Sequence, residues 1–247
     1  MEVSEDWDAH QRFLYDLMDL KADEWEECCR TSRRSAYKPA RVICAGTAGA
    51  GKTHTVRGII KRRRQRARNA AKTGDEVRGC CSLAAPTGSA SFQMKFGAAT
   101  AHRTYAVQTR RPFARLAAGG ETYKRLQQRL KLARLLLLDE RSMIGRMFLG
   151  KIANRLEQVL GCGDGPKGAS LGARDLLLVG DDKQIEPIGD QPLFVDGAYK
   201  GKAKKAENGP EPSSLVGLGL TVRNECDDVV ILRGKHRRDD GAHRGCG

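Results

Sequence analysis

A glycine-rich run, GTAGAGKT at residues 46–53, is where residue types and spacing most directly imply chemistry. It matches G-x-x-x-x-G-K-[ST], and it follows an apolar run and opens a helical one, which is the context in which that pattern works. Glycines let a backbone curl until successive N–H groups converge on phosphate oxygens, and a helix starting there adds the positive end of its dipole. Gly46, Gly49, Ala50 and Gly51 are therefore the candidate cradle, with His54 at its exit. Lys52 is placed to reach β- and γ-phosphates, and Thr53 to put its hydroxyl on Mg²⁺. The ligands implied are ATP and magnesium.

Two more signals follow apolar runs. LLLLDE at 135–140 ends in Asp139, suited to holding the metal through its water shell, and Glu140, suited to polarising the water that attacks a γ-phosphate. Adjacent acids after a strand are commonplace alone and gain meaning from the phosphate loop upstream. GDDKQIEPI at 180–188 presents Gln184. Its neutral amide can touch the γ-phosphate or its water without adding charge, and so report whether that phosphate is present. An exposed turn glutamine is the alternative.

Such residues need elements to hold them. Apolar runs at 41–45, 80–84, 134–138, 175–179 and 229–232 are about five residues long and tens of residues apart. That pattern fits buried strands joined by helical crossovers, so the expected fold is α/β, with a mostly parallel sheet covered by helices on both faces. Residues 52–71 and 142–160 read as helices; in the second, Phe148, Ile152, Leu156 and Leu160 fall on one face and Gly161 supplies a stop. The segment 1–37 carries Trp7, Phe13, Leu14, Leu17, Leu20 and Trp25 at roughly helical spacing and is expected to dock as an accessory helical segment on a domain spanning 38–247. Residues 161–170 and 200–216, rich in Gly, Pro, Lys and Ser, read as loops.

Composition sets the outer bounds. The chain has 247 residues, enough for one sizeable core, and no apolar run approaches the 18 or so residues of a membrane span. The acidic start has no basic region followed by an apolar stretch, so an intracellular protein is expected, with no membrane partner. Eight scattered cysteines without C-x-x-C support neither zinc nor a disulfide framework. A net charge of +14 favours a polyanionic partner such as nucleic acid. The run KRRRQRAR at 61–68 reads as a solvated face in preference to a DNA contact or nuclear-import signal.

In series, GTAGAGKT (46–53), APTGSAS (85–91), TAHRTYA (100–106), DERSM (139–143), GDDKQIEP (180–187) and LRGKHRRDD (232–240) resemble the first-motor-domain motifs of petite-integration-frequency (Pif) and RecD-like helicases of superfamily 1. The resemblance implies a RecA-like P-loop ATPase domain in a DNA helicase serving genome maintenance, working 5′ to 3′ if it extends to direction, and in the nucleus or mitochondrion if the source is eukaryotic. It implies that Lys52 and Thr53 serve phosphate and Mg²⁺, Asp139 and Glu140 metal and water, and Gln184 γ-phosphate sensing. By the same resemblance Arg237 contacts the γ-phosphate from the domain's far edge, and Gln11 reads the adenine edge through its amide. Pro86, Thr87 and Gly88 resemble a loop that holds a phosphate of single-stranded DNA, a contact that positions without reading sequence. His102 and Tyr105 either stack on bases or pack within the domain. The partner implied is single-stranded DNA, or DNA with a single-strand tail.

The sequence also departs from the family. Arg141 stands where an apolar residue is usual, and Glu186 replaces the first proline after the glutamine; both bear on coupling more than on ATP binding. No stretch supplies the second RecA-like domain, which in this family closes over ATP and provides a trans-acting arginine. Loss of such an arginine costs roughly 10³ to 10⁵ in phosphoryl-transfer rate, so weak hydrolysis and no unwinding are expected of this sequence alone. The alternative is a nucleotide-dependent module that binds DNA or a partner without useful hydrolysis.

Overall fold

The apolar runs form strands of one sheet in the computed structural model, which describes residues 7–108, 112–161, 169–195 and 206–234. Five strands coincide with those runs to within a residue or so: β1 (Arg41–Gly46), β2 (Cys81–Ala85), β4 (Leu135–Leu138), β5 (Asp175–Gly180) and β6 (Asp228–Leu232). A two-residue strand, β3 (Ala99–Thr100), joins them at one edge. The order is β3-β2-β4-β5-β1-β6, and every pairing between these strands is parallel. The expected α/β architecture is what forms.

Alternation along the central strands explains why both faces carry helices. Leu136 and Leu138 of β4 and Leu176 and Leu178 of β5 enter one apolar cluster, while Leu135, Leu137, Leu177 and Val179 enter the other. A strand buried on both faces is apolar throughout because each pleat direction needs a partner. The first cluster is covered by α6 (Glu121–Leu132), α7 (Arg146–Leu160) and α8 (Pro212–Asn224), and the short α5 (Ala101–Thr104) adds Ala101. The second is covered by α1 (Ala9–Arg30), α2 (Lys52–Asn69), α3 (Gly74–Gly79) and α4 (Gly88–Met94). Among the described residues no helix is long and apolar enough to cross a membrane.

Two boundaries differ from the sequence reading. The helix expected from residue 142 begins at Arg146, after a 3-10 turn at Arg141–Met143. Its start is set from a distance: the Asp190 carboxylate accepts the backbone N–H groups of Met147 (3.1 Å) and Phe148 (2.8 Å), satisfying donors that a helix N-terminus leaves open. Residues 212–216, read as loop, open α8, whose first-turn proline is compatible with a helix start. Where α8 crosses α7, a Cβ on Gly150 would stand 1.7 Å from the Leu215 carbonyl oxygen, so the close approach depends on glycine.

The basic run also differs. Arg62 makes a double contact with Asp19 (3.0 and 2.9 Å), Arg66 reaches the same carboxylate (3.1 Å), and Arg63 donates to the Met18 carbonyl (2.8 Å). These arginines dock α1 onto α2 instead of forming a solvated face. Arg63 continues to Asp175 (3.3 Å), which is fully buried and also accepts from the Tyr37 hydroxyl (2.6 Å) and the Ala40 N–H (3.0 Å). Arg134 closes the group by lying 3.7 Å over Trp25 and 4.8 Å over Tyr37. The amino-terminal end of β5 is thereby closed off.

Candidate nucleotide and nucleic-acid site

Because all strands run the same way, their carboxyl ends share one edge, which is where open α/β sheets take ligands. Reading along the strand order, β1 delivers the glycine-rich loop, β5 the Gln184 turn, β4 the Asp139–Glu140 pair, β2 the Pro86–Gly88 loop and β3 the segment carrying His102. Residues scattered over more than a hundred positions become neighbours by topology alone.

The glycine-rich loop is preshaped. Gly49 and Gly51 have φ of 85° and 81°, in the left-handed region that side chains rarely adopt, and Gly51 caps α2. A Cβ on Gly46 would lie 2.9 Å from the Leu232 carbonyl oxygen of β6. The start of α2 has no side-chain cap and no acid in its first turn, so its N–H groups remain available to an anion. The Lys52 ammonium lies within the loop, donating to the carbonyl oxygens of Gly46 (2.6 Å) and Thr47 (2.9 Å). Ala50 is buried, whereas Thr53 and His54 are exposed. Trp7 stands edge-on to His54, ring centroids 5.7 Å apart, bringing the start of α1 to the phosphate loop.

Asp139 is tied to the sheet by its N–H, which donates to the Ala84 carbonyl (3.0 Å), and its Oδ1 accepts the Glu140 N–H (2.9 Å). Burial pushes its carboxyl up from the ordinary value; the Glu140 charge adds to this, while the Glu140 N–H and Lys52 pull down. The half-buried Asp139 carboxylate and the exposed Thr53 hydroxyl are oxygen donors of the hard kind that Mg²⁺ takes. Glu140 itself adopts a left-handed backbone, with φ of 49° and ψ of 50°. The Thr87 hydroxyl approaches its Oε2 at 3.4 Å, linking the β2 loop to the paired acids.

Arg141 turns out to be a bridge. Its side chain is ion-paired with Asp182, joining the acidic pair to the turn bearing Gln184. A Cβ on Gly180 would sit 2.7 Å from the Arg141 N, so the two loops touch. Sequence pointed to Arg141 only as a departure and offered no partner. Gln184 is exposed in its turn, its N–H donating to the Asp181 carbonyl (3.1 Å).

At the nucleic-acid end and at α1 the structure places three of the sequence's candidates within the fold. Tyr105 is fully buried, its hydroxyl 3.3 Å from Ser82 Oγ, so it packs in the core and has no ring face to offer a base. His102 is half-buried and stacked on Phe148 of α7, centroids 4.5 Å apart and planes at 28°. Gln11, expected at an adenine edge, is 1% exposed, and its amide oxygen accepts the Asp8 N–H (3.2 Å) in a capping box at the start of α1. Thr87 caps α4 by accepting from the Ala90 N–H (3.2 Å), with Pro86 and Gly88 on either side at the sheet edge. Phe92, unremarked in the sequence, is 84% exposed on α4. Arg237 lies outside the described residues.

Sheet order, glycine loop and paired acids define a P-loop nucleotide-binding domain of RecA-like architecture. The family described as "AAA domain" matches residues 30–190, more than half of the chain, and the chain belongs to that family. Among solved structures it is similar to Bacteroides sp Pif1 in complex with ADP-AlF4, with 22% identity, a TM-score of 0.56, and coverage of 94% of this chain and 43% of that one. It is also similar to the Pif1 helicase from Candida albicans (16% identity, TM-score 0.53, covering 95% and 40%). A third is unliganded Pif1 from Bacteroides sp (22% identity, TM-score 0.52, covering 86% and 42%). At these identities the likeness is one of fold, and the chain spans about two fifths of each of those solved chains. No curated protein matches the sequence.

Proposed function

We propose that this chain is the nucleotide-binding motor unit of an ATP-dependent DNA helicase of the Pif/RecD-like kind, coupling ATP hydrolysis to movement along single-stranded DNA. The observation that carries the reading is that Lys52 in its carbonyl cradle, the Asp139–Glu140 pair and the Thr87 loop share the carboxyl edge of one sheet, at the ends of β1, β4 and β2, the last two in contact through Thr87 and Glu140. A triphosphate at the start of α2 meets free N–H groups. Lys52 then exchanges the Gly46 and Thr47 carbonyls for phosphate oxygens. Thr53 and Asp139 would hold Mg²⁺, which when bound offsets phosphate charge. Glu140 orients a water through its carboxylate oxygens and takes its proton.

Pro86, Thr87 and Gly88 hold a strand phosphate on this reading, and Phe92 offers an exposed aromatic face to a base. Arg141 keeps the Gln184 turn in register with the acids through Asp182. The chain acts on nuclear or mitochondrial DNA if its source is eukaryotic, with a second motor domain as partner. Assayed by itself, the unit binds ATP and turns it over more slowly than about 1 per second, because an arginine supplied from another domain is worth roughly 10³ or more in rate.

Glu140→Gln decides between a motor and a pure binder. Expected is retained binding of ATP and of an oligothymidylate, with DNA-stimulated phosphate release abolished. Unchanged phosphate release in Glu140→Gln, or a wild-type chain that fails to bind ATP, overturns the proposal.

A further inference from the structure

Beyond β3, helices α5 and α6 face one another across a cleft of about 250 Å³ lined by Arg103, Ala106, Thr122, Arg125, Leu126 and Arg129. Arg125 and Arg129 are one turn apart on α6 and share a face, an arrangement that costs free energy when both are charged. Arg129 is held by donating to the Thr104 carbonyl. The side chains of Arg103 and Arg125 make no hydrogen bond or ion pair among the described residues, and no carboxylate lines the cleft. Burial lowers the Arg129 pKa, and the charges of Arg125 and Arg103 lower it further. Three guanidinium groups thus line one cleft with no counter-charge among the described residues, and an oxyanion would relieve that repulsion.

The position of the cleft indicates which oxyanion. Ala85 pairs with Thr100, so the end of β3 lies beside the end of β2, and α5 begins where the Pro86–Gly88 loop has its neighbour. The α5 wall of the cleft therefore lies outward of the Pro86–Gly88 loop, on the side away from the glycine-rich loop. Its lining has no aromatic ring to stack a base, and its apolar part is one alanine and one leucine. Guanidinium forks match phosphate geometry, and contacts of that kind position a strand without reading it.

We propose that Arg103, Arg125 and Arg129 form a backbone clamp for single-stranded DNA, engaging phosphates adjacent to the one held at Thr87. The inference rests on the DNA-binding reading above and deepens it. The experiment is equilibrium binding of a fluorescein-labelled oligothymidylate to the whole chain across a salt series, for wild type, Arg103→Gln, Arg125→Gln and the double variant. Both substituted side chains lack hydrogen-bond partners among the described residues, so the fold is expected to survive. Arg30→Gln, at the far end of α1, makes the same charge change as a control.

Each cleft substitution is expected to lower the slope of log affinity against log salt by about 0.7, and the double variant by about 1.4, with Arg30→Gln unchanged. A wild-type slope in the double variant while wild type binds DNA overturns the clamp and leaves the helicase reading standing. A wild-type chain that binds no oligonucleotide overturns both. Inorganic pyrophosphate offers the same oxyanions without a strand: if the double variant loses pyrophosphate binding but keeps the DNA slope, the cleft serves a free polyphosphate and the strand clamp is wrong.

Discussion

Asp175 and Asp139 belong to neighbouring strands of one parallel ladder, at opposite ends of it. At the amino-terminal end Asp175 is fully buried, and the Tyr37 hydroxyl, the Ala40 N–H and Arg63 all point at its oxygens. At the carboxyl end Asp139 is half-buried, yet among the described residues its carboxylate accepts only the next residue's N–H, and burial disfavours its charge. The first carboxylate is satisfied from within the fold and locks α1 and α2 to the sheet. The second leaves its needs unmet, as does the uncapped start of α2, and this is the condition of a site awaiting charged ligands. Identical chemistry is structural at one edge and receptive at the other because only one edge was closed by an added helix.

The largest expected effect tests the closed end. Asp175→Ala strands the buried Arg63, 8% exposed, without its partner and should cost about 3–5 kcal/mol in urea unfolding, while the folded fraction still binds nucleotide. A loss below about 1 kcal/mol would erase the contrast. Lys52→Ala should do the reverse. Nucleotide affinity, read by fluorescent-ATP titration, falls about ten- to a hundredfold, the worth of a charge-assisted contact of 1.5–3 kcal/mol, with the unfolding midpoint nearly unchanged.

Arg141→Leu probes the seam between the two loops of the open end. Burial lowers the Arg141 pKa, and its Nε has no hydrogen-bond partner, so an apolar replacement should leave stability unchanged or raise it by about 1 kcal/mol. DNA-stimulated turnover should nonetheless drop severalfold, because the Gln184 turn loses its tie through Asp182. Equal turnover in variant and wild type would leave the ion pair without a part in coupling. The smallest effect concerns His102, whose pKa is lowered by burial and then by Lys151. The folded state binds its proton less readily than the unfolded chain, so stability is intact above the ordinary value of 6.5 and declines as pH falls through and below it. Between about pH 7.5 and about pH 5.5, wild type should lose up to about 1 kcal/mol more than His102→Asn; an equal loss would show that burial of this ring is not felt.

Much of the open end was legible because its parts are local patterns. GTAGAGKT carries its own backbone geometry in Gly49 and Gly51, and LLLLDE announces a buried strand with acids at its tip. The closed end was not legible in that way. Nothing in the letters around residues 61–68 says that Arg62 and Arg66 meet Asp19, or that Arg63 meets Asp175, since those partners lie 43 or more positions away. Tyr105 was open between stacking and packing, and only its burial against Ser82 settles it. The strand Ala99–Thr100 is too short to show periodicity, and without it the arginine cleft has no place beside the β2 loop.

By itself the sequence determined the identity of the groups and the local backbone that presents them: a phosphate loop with its lysine and threonine, two acids and a glutamine at strand ends, and strands apolar enough to need cover on both faces. Tertiary structure alone decided which like residues act alike. Whether a carboxylate or an arginine is spent internally or left facing outward depends on what is brought within hydrogen-bonding reach from distant parts of the chain, and that is set by strand order and helix docking.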